Sequence, residues 1–143
     1  MLPSYDTAPG NLRELHSRVC ELLSSEARWT QCDYASEKSG RRVNPLSSSA
    51  EKVCLRGAML RALGPAASES IFLSRRISTI LTDYLKVLFL CPSLVKFREF
   101  RGVEVFEPSC ASLFNDARTT THSMILQLLH EAGRLISAGA AEA

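Results

Sequence analysis

Apolar side chains recur at steps of three and four residues in four separate stretches of this chain, and that periodicity restricts it to a fold built mainly of amphipathic helices. The cleanest stretch is the last. There Met124, Ile125, Leu128, Leu129, Ala132, Leu135 and Ile136 share one face, behind Thr119 to Thr121, whose hydroxyls can accept from the free N–H groups of a helix start. The first stretch runs through Leu12, Leu15, Val19, Leu22 and Leu23 and is expected to end near Glu26. A long central one carries Ile77, Ile80, Leu81, Tyr84, Leu85 and Leu88, opened by Ser68 or Ser70 and ended by Pro92. Between these, Ser47 to Ser49 are placed to cap a helix with Ala50, Val53, Cys54, Gly57, Ala58 and Leu60 on or near one face, stopped by Gly64-Pro65. Gly57 inside that helix costs about 1 kcal/mol relative to Ala. Its presence points to another backbone or a ligand approaching there.

The remaining segments lack period. Residues 29–49 carry Asp33, Ser36, Ser39-Gly40 and Asn44-Pro45, which are turn residues, and read as a long irregular loop with room for a short hairpin about Ser39-Gly40. From Leu94 to Glu107 charged and apolar residues alternate, so Val103, Val105 and Phe106 are expected in a short strand with Gly102 in a turn. Ser109 to Phe114 can form one turn of helix. Residues 1–8 and 139–143 are expected to fray. The architecture expected is a mostly α, single-domain bundle of four to five helices, with the 29–49 loop across one end and room for a short two-stranded element.

At 143 residues, 45% of them hydrophobic, the chain can bury roughly two-thirds of its unfolded surface. Seventeen Lys and Arg oppose fifteen Asp and Glu, for a net charge of +2, with the signs interspersed. The densest basic clusters are Arg41-Arg42, Arg75-Arg76 and Lys96/Arg98/Arg101. They are too small for the stripe that neutralises several phosphates, so nucleic acid is not an expected partner. Five cysteines, at 20, 32, 54, 91 and 110, form no C-x-x-C pair and are odd in number, which fits reduced thiols and a cytoplasmic location. The longest apolar run, Val87 to Cys91, is too short for a bilayer, and no Gly-rich phosphate loop is present, so neither a membrane nor a nucleotide cofactor is expected.

Three short words stand out in order: Trp29-Thr30-Gln31, Cys54-Leu55-Arg56-Gly57-Ala58 and Phe114-Asn115-Asp116. With the glycine-bearing stretch Gly40-Arg41-Arg42-Val43, the set resembles a bacterial and phage family of small helical proteins whose function is not established. The resemblance covers about residues 11 to 64 and 111 to 136. Cys32 stands where such a family usually has a small residue, most often glycine. The resemblance implies an architecture and a set of positions; it implies no activity.

Two chemistries are available to these positions. Cys54, His122 and Asn115 or Asp116 are the residue types of a Cys-His-Asn/Asp nucleophilic site. Cys54 is expected about a turn inside its helix, away from the N-terminus that would acidify it, and His122 in a first turn that disfavours imidazolium. Alternatively, Gln31, Asn115 and Asp116 could orient a small ligand under Trp29. Against both stand local roles: Asn and Asp shape turns and caps, and Trp anchors cores. His16, His122 and His130 lie at no ligand spacing, so no metal is expected. The apolar helix faces could form a homodimer seam. The function expected is therefore a non-catalytic binding or protein-interaction module, the alternative being a small cysteine-dependent hydrolase or transferase built on Cys54 and His122.

Overall fold

The computed structural model describes residues 1–68, 74–102 and 105–139. Helix α1 (Leu12–Leu22) opens at Asn11, whose side chain accepts from the Glu14 N–H, and turns Leu12, Leu15, Val19 and Leu22 inward. It stops at Leu22 rather than Glu26, because Ser25 caps a separate 3₁₀ turn, Glu26–Arg28. Strands β1 (Ala35–Ser36) and β2 (Lys52–Val53) pair antiparallel, Ala35 opposite Val53 and Ser36 opposite Lys52. A tight turn lies between the two strands, about Ser39-Gly40: the Glu37 N–H reaches Arg41 O at 2.8 Å and the Gly40 N–H reaches Glu37 O at 2.9 Å.

Then follow α2 (Leu55–Ala62), α3 (Pro65–Ser68), α4 (Arg75–Leu90), α5 (Pro92–Arg101), α6 (Cys110–Asp116) and α7 (His122–Ser137). The class is mostly α with a small two-stranded sheet, as the periodicity implies, but the described residues hold seven α-helices instead of four or five. Two expected boundaries move. Residues 52–53 are taken by the sheet, so α2 starts at Leu55 and its N-cap is Cys54, not the serines at 47–49. Ser74 caps α4 by accepting from the Ile77 N–H, and Ser68 is the last residue of α3, while Ser70 lies outside the described residues.

The alternating stretch that begins at Leu94 is a helix as far as Arg101. Pro92 does not merely end α4; it occupies the first turn of α5, where its fixed φ suits a helix and its missing N–H costs nothing. The first turn of α5 has no side-chain cap of its own. Glu131 of α7 fills that role, its carboxylate accepting from the N–H and hydroxyl of Ser93 at 2.9 Å each. Gly102, in the left-handed region at φ 74, closes α5. Val105 and Phe106 form no strand, and Val103 lies outside the described residues.

Helix α1 packs against α2, α4 and α7, while α5 packs against α4, α6 and α7. Leu15, Leu22, Leu55, Met59, Tyr84, Leu88, Ile125 and Leu128 fill the centre, each worth about 2 kcal/mol in apolar burial. Arg61 is 2% exposed and has no carboxylate partner among the described residues. Its guanidinium donates instead to the carbonyls of Leu2, Pro3, Pro45 and Ser47 and to the Ser4 hydroxyl. That ties α2 to the start of the chain and to the end of the 29–49 loop. Residues 1–8 are thus held rather than frayed: Leu2 is buried, Tyr5 donates to Glu21, and Arg18 donates to Thr7 O. Helix α7 runs to Ser137, and residues 140–143 lie outside the described ones.

The expected close approach at Gly57 is made by backbone. A Cβ there would lie 1.8 Å from the Tyr34 carbonyl oxygen, which accepts from the Cys54 N–H at 3.1 Å. Gly57→Ala is therefore expected to destabilise the protein by about 3 kcal/mol or more, and Arg61→Met by about 3 kcal/mol through its orphaned carbonyls. Urea unfolding followed by far-UV circular dichroism checks both; an unchanged midpoint would refute either assignment.

Candidate functional site

The three words meet. Asn115 is fully buried at the end of α6, and its carboxamide uses all four of its hydrogen-bonding positions. Oδ1 accepts from the Trp29 indole N–H at 2.8 Å and from the Leu55 N–H at 3.0 Å; Nδ2 donates to Thr30 O at 3.1 Å and to Asp116 Oδ1 at 2.9 Å. The Leu55 N–H is one of the free donors at the start of α2. A second, that of Gly57, is met by Cys54 Sγ at 3.2 Å. Gln31 does the reciprocal work at the other end of a helix: its Nε2 donates to Asn115 O and Ala117 O, both at 2.9 Å, where the last carbonyls of α6 would lack partners.

Asp116 Oδ1 also accepts from the Cys32 N–H at 2.8 Å. Cys32 adopts φ 71 to point that N–H at the carboxylate, the one non-glycine with positive φ among the described residues. Position 32 thus needs a left-handed backbone, the conformation that glycine adopts most readily. Trp29 packs its ring 6.0 Å from that of His122 and continues into the sheet through a bridge to Val53.

Trp29, Gln31, Asn115 and Asp116 are therefore brought together, but the amide groups of Asn115 and Gln31 and the indole N–H are engaged within the protein. Cys54 and His122 are each engaged elsewhere. The Cys54 thiol is pushed up by burial, helped by the charge of Asp116, against the N–H groups of Gly57 and Arg56, which favour the thiolate. Its place at a helix start thus does not acidify it. His122 Nε2 lies 2.7 Å from Leu23 O, which makes it a donor to that carbonyl, and no hydrogen bond joins it to Cys54 among the described residues. Cys91, which donates to Val87 O, is pushed up to about 12 by burial first and then by Glu131.

Open surface lies next door. A groove of about 480 Å³ runs between α5 and the α6–α7 connection, lined by Phe97, Phe100, Phe114 and Met124, with Lys96 and Arg101 among its polar residues. Phe100 is 89% exposed, and the Arg101 guanidinium sits 5.3 Å from the Phe97 ring. Among the described residues that line the groove, none is acidic. The Lys96/Arg98/Arg101 cluster was visible in the sequence. The groove is marked by the aromatic pair Phe97 and Phe100 interleaved with it on α5, a pairing that the alternation of charged and apolar residues from Leu94 onward did not single out. Among the described residues, no helix is long and apolar enough to cross a membrane.

Asn115→Ala, which orphans the Trp29 and Leu55 donors, is expected to cost about 3 kcal/mol. Asn115→Asp should be comparably damaging at neutral pH and milder near pH 4, where a protonated carboxyl regains a donor (about the Asp pKa). Cys32→Gly should instead gain about 1 kcal/mol by removing left-handed strain. Urea midpoints read from the fluorescence of the single tryptophan test all three, and a neutral Asn115→Ala would remove the clamp.

No curated protein and no solved structure matches this chain. A model of a family of unknown function, DUF6197, matches residues 7–135, and so runs through the 65–110 stretch for which the motif words offer no counterpart. The chain belongs to DUF6197, a family of unknown function.

Proposed function

We propose that this protein is a non-catalytic protein-interaction module of a bacterial or phage cytoplasm, and that its groove between α5 and the α6–α7 connection seats an acidic amphipathic helix of a partner. The observation that carries the proposal is Phe100, a large aromatic side chain left almost wholly in water beside an apolar groove. Exposed apolar surface of this kind, rimmed by polar residues, marks interaction sites. Aromatic residues at such a place tend to carry most of the binding energy. The rim decides the partner's charge. Lys96 and Arg101 face an occupant with Asp or Glu beside its apolar anchors, and a basic helix would meet repulsion with nothing in the lining to offset it.

Trp29, Gln31, Asn115 and Asp116 serve this module by holding α6 and the start of α2 in place, which fixes Phe114 in the groove wall. The thiol chemistry of a Cys54–His122 hydrolase is disfavoured by the same packing: Cys54 is a buried helix cap whose thiol burial keeps protonated.

A fluorescein-labelled synthetic helix with Leu at i, i+4 and i+7 and flanking Glu is expected to bind, whereas its Lys-flanked counterpart is not. Phe100→Asp should weaken the acidic peptide roughly 30-fold, the loss of about 2 kcal/mol, and Lys96→Glu with Arg101→Glu should reverse the charge preference. Fluorescence polarisation reads each. Equal affinity for both peptides, indifference to Phe100→Asp, or a Phe100-dependent dimer in sedimentation velocity would overturn the assignment. In the same protein Cys54 should react with a thiol reagent only on unfolding.

A further inference from the structure

A second cavity, of about 790 Å³, opens between α1 and the C-terminal half of α7. His16 and Cys20, one turn apart on α1, line it together. Cys20 Sγ lies 3.4 Å from His16 Nε2, and His16 Nδ1 lies 2.7 Å from the hydroxyl of Tyr84 on α4. Tyr84 is buried, and its ring packs 5.6 Å from the imidazole, so it fixes the ring from behind. Opposite, α7 carries Gly133. A Cβ at that position would come within 3.0 Å of His16 Nε2, so the glycine keeps the thiol-facing edge of the imidazole open. Arg134, His130 and Ser137 complete the polar lining, and among the described residues that line the cavity none is acidic.

These are the parts of a nucleophile, its base and a group that orients the base. The available chemistry is narrower than that list suggests. The lining comes from the interiors of two helices, whose backbone N–H groups are engaged in their own turns, and acyl transfer would need such donors aimed at a developing oxyanion. Exchange with a disulfide develops charge on sulfur and needs only a base, access and a matching charge.

We propose that Cys20 is a thiol–disulfide exchange site for small anionic disulfides, with His16 as its base, Tyr84 as a positioning residue and Arg134 as the group that selects for negative charge. Cys20 Sγ attacks one sulfur of the disulfide while its proton passes to His16 Nε2, with Nδ1–H donating to the Tyr84 oxygen. The disulfide bond breaks and its electron pair stays on the departing sulfur. That thiolate then takes the proton from His16. The products are a mixed disulfide on Cys20 and one free small thiol, so no further oxidant enters. Burial raises the Cys20 thiol and lowers the imidazole of His16, so the resting pair is neutral and the proton moves only as sulfur attacks.

The test uses a Cys32→Ser background, because Cys32 is exposed and would react on its own. Oxidised glutathione, an anionic probe, and cystamine, a cationic one, are followed by intact mass and peptide mapping on the folded protein. Cys20 is expected to take one glutathione. His16→Gln should slow that reaction at least about tenfold, and Arg134→Gln should slow glutathione severalfold while speeding cystamine. Trp29 fluorescence confirms that each variant is folded. Arg134 is exposed, so its variant gives a readout even where His16→Gln fails to fold. A Cys20 that stays unmodified in the folded protein, an unchanged rate in folded His16→Gln, or equal effects of Arg134→Gln on both probes would overturn the proposal.

Discussion

The carboxamide of Asn115 holds together parts of the chain that have no other reason to meet. One oxygen receives the indole N–H of Trp29 and the first N–H of α2, and one nitrogen reaches Thr30 O and the neighbouring Asp116. Every bond but the last spans 60 residues or more of sequence. A buried amide with all four positions met is worth far more than one with three, because the remaining atom would be desolvated without return. Its neighbours extend the same logic. Gln31 closes the carbonyl end of α6, Cys54 closes the N–H end of α2, and Asp116 receives Cys32. Two short helices that would be marginal alone become fixed because one end of each, the carbonyl end of α6 and the N–H end of α2, is met by a residue from elsewhere in the chain, Gln31 and Asn115 respectively.

That arrangement determines where chemistry can occur. Side chains whose hydrogen bonds are complete inside the fold have little left to offer a ligand, so the polar junction is a frame, and the surfaces it positions are what remain available. Phe114, the residue before Asn115, forms part of the groove wall beneath Phe100. The His16–Cys20–Tyr84 cluster lies on the far faces of α1 and α4 and uses none of the junction's atoms. Arg61 plays the corresponding structural part at the opposite end of α2, gathering carbonyls from the chain start and from the loop.

Periodicity makes α1, α4 and α7 legible, because their apolar stripes are long; the cap Thr121 falls within the run expected to open α7, whereas α4 is capped by Ser74 rather than Ser68 or Ser70. It failed at α5, where a proline that can end one helix can equally start the next, and where the cap is Glu131, a residue 38 positions away. It misplaced the start of α2 because a serine run looked like a cap while Lys52-Val53 was claimed by a strand partner whose pairing no local pattern announces. Arg61 carries a signal of its own, as a basic residue on the small-residue face of α2 that packs inward. The junction's members were all visible as words. Their convergence was not, since a hydrogen bond between positions 29 and 115 is a property of the fold and not of either segment. Gly57 is the intermediate case, in which one residue type discloses a backbone demand whose cause, the Tyr34 carbonyl, belongs to the fold.

A junction at the centre of the fold requires that the Asn115 clamp open only when the whole protein unfolds. Hydrogen exchange at the Trp29 indole N–H tests it directly, because that proton is held by Asn115 Oδ1 and the ring around it is only half-buried. The indole proton is predicted to exchange as slowly as the backbone amides of Leu128 and Leu129 in the core of α7, with the same denaturant dependence. An indole proton that exchanges quickly while those amides remain protected would show the junction to be a local contact and contradict its place at the centre of the fold.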